Sequence, residues 1–163
     1  MRKVGIIVAS DKCYEGLRED KSGKAIAQVV SNAGFDVAEI VIVPDEFDRL
    51  KNAILYFTDE LEVPLVLTTG GTGFSQRDVT PEATKAVIER EAQGIAEAIR
   101  AKSLEFTNRA MLSRAVAGLR KNSLIINLPG SEKAVREALD IILDAVKHGL
   151  DILLGEASEC ARV

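Results

Sequence analysis

The chain has 163 residues, of which 47% are hydrophobic and 28% charged, and its formal net charge is -4. This length and composition are typical of one globular domain with its own core, so we expect a single domain over residues 1–163. The negative charge disfavours nucleic acid as a partner, because phosphate backbones bind clustered cations, and no apolar run approaches the roughly 18 residues of a membrane span.

Cysteine and histidine usage gives no sign of a metal or redox centre. Cys13 and Cys160 lie near opposite ends of the chain without CxxC or His–Cys spacing, which predicts neither a zinc site nor a disulfide framework. Unpaired thiols fit a reduced, cytoplasmic protein. The single histidine, His148, precedes Gly149 in a late helical stretch, where a cation near a helix C-terminus is a simpler explanation than catalysis.

A long polar loop separates the first predicted strand from the first long helix. Residues 4–9 are an apolar run that predicts a strand buried on both faces of a parallel sheet, and the run is too short to favour a signal peptide. Residues 14–22 form a charged loop longer than the usual strand-to-helix connection, which favours a segment that covers a ligand. Asp20 or Ser22 can then cap a helix that ends near Gly34.

Residues 35–43 predict a second strand, and Asp45 follows it directly. Spacing makes Asp45 an N-cap for the next helix. The apolar residues of that helix recur at helical intervals, at Leu50, Ile54, Phe57 and Leu61. On spacing alone, we therefore assign Asp45 to a helix cap and not to a ligand site.

The most informative stretch is the third predicted strand with the loop after it, over residues 65–81. Its strand ends in the Gly-Gly-Thr-Gly run of residues 70–73, which lets the backbone take positive φ and brings N–H groups close to a phosphate. Asp78 follows, and Thr80 and Pro81 predict the N-cap and first position of a helix. A phosphate cradle and a purely structural turn are equally compatible with these glycines.

The later part of the chain predicts two helices and a strand. Residues 94–106 predict a helix with three inward side chains, Ile95, Ile99 and Phe106. Residues 123–128 predict a strand, after which Ser131 can cap a helix. The buried stripe of that helix is Val135, Leu139, Ile142 and Val146, and Gly149 and Gly155 interrupt the final segment.

Strands and helices alternate along the chain, except over residues 111–119, where the pattern is mixed. The alternation predicts an α/β fold of three layers, with a mainly parallel sheet flanked by helices and joined by right-handed crossovers. Polar loops at Ser10, Asp45, Gly70 and Asn127 each follow a predicted strand. We expect all four to converge at the carboxyl edge of the sheet, where such folds bind ligands.

This set of loops indicates a particular kind of chemistry. Two glycine-containing loops and several carboxylates favour phosphate handled with a divalent cation, because Mg²⁺ binds carboxylate oxygens together with substrate phosphates. The glycine loop is followed by no Lys-Ser/Thr pair, as a Walker A loop would be, and the chain has no G-x-S-x-G motif. The residues therefore favour phosphoryl or nucleotidyl chemistry on a small anionic ligand.

Several motifs, in order, resemble those of the MogA/MoaB molybdopterin-binding family, to which the gephyrin G domain is similar. They are Ser10-Asp11, Val43-Pro44-Asp45-Glu46, the Thr-Thr-Gly-Gly-Thr-Gly of residues 68–73, the Arg-Asp-Val-Thr-Pro-Glu-Ala-Thr of residues 77–84, Leu112-Ser113-Arg114 and Asn127-Leu128-Pro129-Gly130-Ser131. The resemblance covers nearly the whole chain. After Ser131 the chain is shorter than MogA-like proteins with an extra segment there, and closer to MoaB-like lengths.

The resemblance implies a molybdopterin adenylyltransferase, which converts ATP and molybdopterin into adenylylated molybdopterin and pyrophosphate with Mg²⁺. Asp45 and Asp78 match its two catalytic aspartates and would hold Mg²⁺, which reverses the assignment of Asp45 to a cap. The residues that would bind nucleotide phosphates are Thr69, Gly70, Gly71, Thr72 and Gly73. Those that would lie nearer the pterin are Ser10, Asp11, Ser113, Arg114, Asn127, Pro129, Gly130 and Ser131.

The resemblance also implies a homotrimer, or a hexamer built from trimers, and transient contact with other proteins of molybdenum-cofactor synthesis. Two alternatives stay open. A non-catalytic molybdopterin-binding protein of the MoaB type is compatible with the shorter C-terminal region. A nucleotide or pyrophosphate hydrolase could use the same loops, although the sequence offers no water-activating base beyond the aspartates.

Overall fold

The computed structural model describes residues 1–157, and Cys160 therefore lies outside the described residues. The strands are β1 (Lys3–Ala9), β2 (Asp36–Val43), β3 (Leu65–Thr69), β4 (Arg90–Glu91), β5 (Ala117–Arg120) and β6 (Ser123–Leu128). The α-helices are α1 (Asp11–Tyr14), α2 (Ser22–Asn32), α3 (Phe47–Leu55), α4 (Thr80–Lys85), α5 (Gln93–Ser103) and α6 (Glu132–Leu153). A π-helical turn, Tyr56–Glu60, extends α3, and a 3-10 helix, Asn108–Leu112, follows α5.

Six strands form one sheet in the order β2-β1-β3-β6-β5-β4. The strands β2, β1, β3 and β6 run parallel, whereas β5 is antiparallel to β6, and β4 is antiparallel to β5. The predicted α/β fold with a mainly parallel sheet is confirmed. The segment of mixed pattern contributes the end of the 3-10 helix and most of the antiparallel strand β5, which is too short to show clear alternation.

Helices cover both faces of the sheet, as expected for strands that are apolar along their whole length. On one face, α2, α5 and α6 pack on alternate residues of β1, β3 and β6, such as Ile6, Leu67 and Ile126. On the other face, α3, the π-helical turn and α4 pack around Ile7, Val66 and Ile125. This burial pattern gives the predicted three layers, and it leaves the carboxyl ends of the four parallel strands together at one edge.

Helix starts follow the predicted cap chemistry only in part. Ser131 is the N-cap of α6 and accepts the Ala134 N–H at 3.2 Å. At α2 the N-cap position is Lys21, so neither Asp20 nor Ser22 occupies it, although Asp20 accepts the Gly23 N–H at 2.8 Å. The prediction that Asp45 caps α3 is wrong, because Glu46 occupies the N-cap position and Asp45 is bonded elsewhere. At α4 the N-cap is Val79 and not Thr80, so the expected threonine cap is also wrong.

Two side chains predicted to point inwards are exposed. Leu61 is 42% exposed because the regular α-helix ends at Leu55 and a π-helical turn replaces its spacing. Phe106 is 60% exposed because α5 ends before it, at Ser103. The helical period therefore predicted burial correctly within each helix, but not beyond the residue where the helix ends.

The last helix is longer than its glycines suggest. Gly149 lies inside α6, so the expected interruption at this residue is wrong, and Gly155 with φ +70° follows the helix end. His148 lies in the last two turns of α6, about 25 Å along the helix axis from Ser131. Within residues 1–157, no helix combines the length and apolar character needed to cross a membrane.

Candidate active site

A polar cleft of about 800 Å³ opens at the carboxyl edge of the parallel strands. The predicted site residues that line it come from four strand ends: Ser10, Asp45, Thr69, Gly70, Gly71, Asp78 and Gly130. Residues 18–21 of the long loop before α2, and Ser22 at the start of that helix, line its other side. The N-terminal end of the 22-residue α6 also reaches the cleft, where its dipole favours a bound anion.

Asp45 is held at the edge of the sheet by Asp11, through paired contacts between backbone and carboxylate. The backbone N–H of Asp11 donates to Asp45 Oδ2 at 3.0 Å, and the backbone N–H of Asp45 donates to Asp11 Oδ1 at 3.0 Å. Arg77 also binds Asp11, with Nε and Nη2 donating to its two carboxylate oxygens at 2.9 and 2.8 Å. The Arg77 guanidinium holds the pKa of the Asp11 carboxyl below its ordinary value.

The second oxygen of Asp45 has no such partner. Among the described residues, Asp45 Oδ1 is the buried side-chain oxygen that receives no hydrogen bond. Burial raises the pKa of the Asp45 carboxyl, the hydrogen bond from Asp11 opposes this, and the carboxylates of Asp11 and Asp78 add to the increase. A buried acceptor without a donor is costly for stability, so this oxygen is suited to binding a cation or a ligand donor.

The glycine loop takes the conformation that its sequence predicts. Gly70 and Gly71 have φ of +91° and +68°, which residues with a side chain rarely adopt. A β-carbon at position 71 would overlap Thr80 Oγ1 and would lie 3.2 Å from Asp45 Oδ1, so the loop backbone passes directly beside the unpartnered carboxylate oxygen. Within residues 1–157, the N–H groups of Gly71, Thr72 and Gly73 donate to no protein acceptor, so they are available to an anion.

Asp78 lies at the other end of this loop. Its Oδ2 accepts a hydrogen bond from the Ser75 N–H at 3.0 Å, and its own N–H donates to the Ser75 carbonyl at 2.9 Å. A β-carbon at position 73 would lie 3.0 Å from Asp78 Oδ2, so the carboxylate stands against the glycine loop. The tertiary structure therefore brings Asp45 and Asp78 to the same cleft, one on each side of the loop.

These two carboxylates are compatible with Mg²⁺. The described residues contain no group of three or more histidine, cysteine, aspartate or glutamate side chains placed to hold a metal ion. Mg²⁺ commonly binds proteins through one or two carboxylates and takes its other ligands from water and substrate phosphates. Asp45, with its unpartnered Oδ1, and Asp78 fit that pattern.

A second, mainly apolar cavity of about 290 Å³ lies on the other side of the glycine loop. It is lined by Thr72 and Gly73 of the loop, by Ser113, Pro129 and Gly130, and by apolar side chains that include Ile99, Phe106 and Leu112. Gly130 lines both spaces, so the polar cleft and the apolar cavity meet there. Of the residues predicted near the pterin, Ser10 lies at the polar cleft, separate from this group.

Other predicted site residues are occupied by contacts within the protein. Asn127 is fully buried, with Oδ1 accepting from the Val116 N–H and Nδ2 donating to the hydroxyls of Thr68 and Thr84. Its amide cannot reach a ligand, so we remove Asn127 from the residues expected to contact pterin. Thr69 Oγ1 donates to the Pro129 carbonyl at 2.6 Å, which leaves only its backbone for a phosphate.

Two residues that sequence reasoning did not assign help to shape the loop. Thr80 donates its hydroxyl to the Gly70 carbonyl at 3.0 Å, while its N–H donates to the Gly71 carbonyl at 3.1 Å. Glu82, in the first turn of α4, accepts two hydrogen bonds of 2.8 Å from Arg114 Nη1. Both residues lie in the segment after the glycines, so their closeness in sequence was the signal that could have pointed to them.

Comparison with known proteins identifies the family of the chain. The model of a family described as "Probable molybdopterin binding domain" matches residues 5–148. The chain is 44% identical to a molybdopterin adenylyltransferase of Helicobacter pylori (strain J99), over 93% of this chain and 88% of that protein. It is 40% identical to the molybdopterin adenylyltransferase of Escherichia coli K12, over 91% and 79% of the two chains. A crystal structure of the molybdopterin biosynthesis enzyme MoaB from Thermus thermophilus matches with a TM-score of 0.90 and 43% identity, over 95% of this chain and 98% of that one.

Proposed function

The chain belongs to the family of molybdopterin-binding domains, and from this membership and the cleft geometry we propose that it is a molybdopterin adenylyltransferase. The proposed reaction joins molybdopterin to the adenylyl group of ATP and releases pyrophosphate. The observation that carries the proposal is the buried, unpartnered Asp45 Oδ1 beside a glycine loop with free N–H groups. Relatives with 40% and 44% identity that are named for this activity support it.

The reaction requires two anions to approach each other. An oxygen of the molybdopterin phosphate forms a bond to the α-phosphorus of ATP, and the bond from that phosphorus to the bridging oxygen breaks as pyrophosphate leaves. The N–H group of Gly71 and the N-terminal end of α6, which both line the polar cleft, offset the negative charge and orient the phosphates. Catalysis of this kind depends on positioning and electrostatics more than on acid–base chemistry.

Asp45 and Asp78 are the proposed catalytic residues and the proposed ligands of Mg²⁺. When bound, Mg²⁺ neutralises charge on the nucleotide phosphates and so lowers the repulsion between the two substrates. The protein's own contribution is to hold the carboxylates in place: Asp11 fixes Asp45, and Ser75 fixes Asp78. Without the ion, two carboxylates beside a phosphate cradle would repel the nucleotide, so we expect binding of ATP to depend on Mg²⁺.

We assign the two substrates to the two adjoining spaces. The polar cleft, with both aspartates and the glycine loop, suits the nucleotide phosphates. The apolar cavity beside Ser113, Pro129 and Gly130 suits the flat pterin ring. Because the spaces meet at Gly130, the phosphate of molybdopterin can reach the α-phosphorus there. Ser10 then belongs to the nucleotide side, which differs from its expected place near the pterin. Thr72 and Gly73, which the resemblance places at the nucleotide, line the cavity assigned to the pterin.

One incubation tests the proposal. The purified protein with molybdopterin and Mg-ATP should form adenylylated molybdopterin, detected by mass, together with one pyrophosphate per product. Asp45→Asn and Asp78→Asn should each lower turnover by about 100-fold or more while the fold is kept, since each removes a charge placed at the reacting phosphates. Full turnover by both variants would show that the assignment of the carboxylates is wrong.

A non-catalytic molybdopterin-binding protein is the alternative, because the matching family model is described only as a probable molybdopterin binding domain. Such a protein would bind molybdopterin but release no pyrophosphate from Mg-ATP. Measuring both properties on one preparation separates the two functions.

We also propose assembly into a homotrimer, or a hexamer of trimers, in the cytoplasm. The family resemblance supports the assembly, as do exposed apolar side chains near the 3-10 helix, with Phe106, Met111 and Leu112 exposed by 60, 64 and 45%. Light scattering at micromolar concentration should give a trimer or hexamer, and a monomer would contradict the assembly.

A further inference from the structure

Arg114 binds both ends of the loop that carries Asp78. Its backbone N–H donates to the Thr72 carbonyl at 2.9 Å, and its Nε donates to the Gly73 carbonyl at 2.8 Å. Its Nη2 donates to the Asp78 carbonyl at 2.7 Å. One residue therefore connects the end of the glycine loop with the backbone of the aspartate five residues later.

The remaining nitrogen of Arg114 anchors this connection to the rigid part of the fold. Nη1 donates to both carboxylate oxygens of Glu82 at 2.8 Å, and Glu82 lies in the first turn of α4. All three guanidinium nitrogens are thus engaged with the protein, in the planar fork geometry that only arginine offers. Only one N–H of Nη2 has no acceptor among the described residues, and Arg114 lines neither the polar cleft nor the apolar cavity.

Besides Arg114, one other side-chain anchor among the described residues holds this loop: Arg77, which is 57% exposed, pairs with Asp11 at 2.8 Å. Residues 74–77 are exposed, and within the described residues the Asp78 side chain receives only the Ser75 hydrogen bond. Without a connection between Gly73 and Asp78, the exposed loop could move the carboxylate relative to the free N–H groups of the glycines. Displacement of a reacting group by about 1 Å can lower a rate about 100-fold, so this connection bears directly on chemistry.

We propose that Arg114 is a positioning residue for the adenylyl transfer, which holds Asp78 against the glycine loop and does not contact the pterin. The inference rests on the proposed function and changes the expected place of Arg114, which sequence resemblance puts near the pterin. The Arg114–Glu82 ion pair is about one-third exposed on the arginine side, at 36%, so its main contribution is geometric and its contribution to stability is small.

The chain offers a matched control for the loss of an arginine fork. Arg120 binds Asp59 through Nε and Nη2 at 2.9 and 2.7 Å, and its Nη1 donates to the Val87 carbonyl at 3.1 Å. It lies at the end of β5 away from the cleft and lines no part of it. Arg120→Gln therefore removes a comparable set of hydrogen bonds without touching the loop.

The test compares Arg114→Gln, Arg114→Lys and Arg120→Gln with the wild type. In amide hydrogen exchange without substrates, Arg114→Gln should lose protection over residues 74–79, and Arg120→Gln should not. With molybdopterin and Mg-ATP, Arg114→Gln should lower turnover about 10- to 100-fold, while the Kd of molybdopterin stays within about twofold. Arg114→Lys should restore little of this turnover, because a single ammonium cannot reach three acceptors.

A double variant tests whether Arg114 acts through Asp78. In the Asp78→Asn background, Arg114→Gln should lower the residual turnover by less than about twofold, since the group that it positions is already gone. The proposal would be overturned if Arg114→Gln lowered turnover by the same factor with and without Asp78→Asn. It would also be overturned if Arg114→Gln greatly raised the Kd of molybdopterin and saturating molybdopterin restored full turnover. If the wild type itself makes no product, the proposed function fails, and unchanged exchange over residues 74–79 would separately overturn the positioning role.

Discussion

Replacing Asp45 by asparagine should make the protein more stable and inactive. In the wild type, Asp45 Oδ2 accepts the Asp11 N–H at 3.0 Å, and an amide oxygen can keep this bond. The buried Oδ1 has no partner, so the ionised carboxylate is held in an environment that disfavours its charge. The substitution removes that charge and changes the volume of the side chain very little.

The magnitude follows from the difference between burying a charged and a neutral polar group. An unsatisfied buried group costs about 1 to 3 kcal/mol, and more if it is charged. The asparagine amide still lacks one partner, so only the excess due to charge is recovered, and we expect about 1 kcal/mol. For a chain of this size, that raises the melting temperature by about 2 to 4 °C.

The gain should depend on pH in a defined direction. Burial raises the pKa of the Asp45 carboxyl above its unfolded value of about 3.9. The wild-type fold is therefore favoured below the unfolded pKa and loses that contribution as the pH rises through the folded pKa. The asparagine variant should be more stable at neutral pH, and its advantage should disappear as the pH falls towards about 4.

Thermal unfolding in EDTA at pH 7 and at pH 4, together with pyrophosphate release, tests the reasoning. Asp78→Asn is the matched control: among the described residues, Asp78 has no buried oxygen without a partner, so its substitution should give no comparable gain in stability. Mg-ATP should raise the melting temperature of the wild type more than that of Asp45→Asn. A lower melting temperature for Asp45→Asn at pH 7 would refute the idea that Oδ1 is an unpaired charge.

Two further substitutions test the loop and the far end of the sheet. Gly71→Ala should lower stability by about 1 to 3 kcal/mol and abolish turnover, because φ is +68° and the new β-carbon overlaps Thr80 Oγ1. The control is Gly149→Ala, which adds a β-carbon in open space within α6 and should raise stability by about 0.5 to 1 kcal/mol while turnover is kept. Calorimetry that showed the same change in stability for both glycine variants would contradict the reasoning. Asp59→Asn should cost about 1 kcal/mol at pH 7 and leave turnover unchanged. The Arg120 guanidinium lowers the pKa of Asp59, so the stabilisation is present above about pH 4 and is lost as the pH falls further. Urea titrations should therefore show a smaller difference in stability between wild type and Asp59→Asn at pH 2 than at pH 7, and equal differences would contradict this reasoning.

Local physical chemistry was sufficient for much of the site. The glycines of the loop adopt the positive φ that their sequence predicts, and the strand before them is buried on both faces. Ser131 caps α6 because its hydroxyl needs only the N–H three residues further on. Features of this kind depend on near neighbours in the chain, so the pattern of residues is enough to predict them.

Contacts between distant parts of the chain could not be predicted in this way. Asp45 was assigned as a helix cap because spacing cannot show that the Asp11 N–H, 34 residues earlier, binds its carboxylate. Asn127 was predicted to contact a ligand, yet its amide is buried and donates to the hydroxyls of Thr68 on β3 and Thr84 on α4. The family motifs predicted a role for both residues in the site without giving their contacts.

The sequence by itself determined the α/β architecture with a mainly parallel sheet, and it predicted the positive φ of the glycine loop and, through its ordered motifs, the pair Asp45 and Asp78. Only the tertiary structure decided the contacts of those residues. It leaves Asp45 Oδ1 without a hydrogen-bond partner, and it places Asp78 beside Gly73 in a loop whose backbone is bound by Arg114. The physical reason is that strand order places residues 34 to 41 positions apart within hydrogen-bond distance, and such distances follow from packing and not from local propensity.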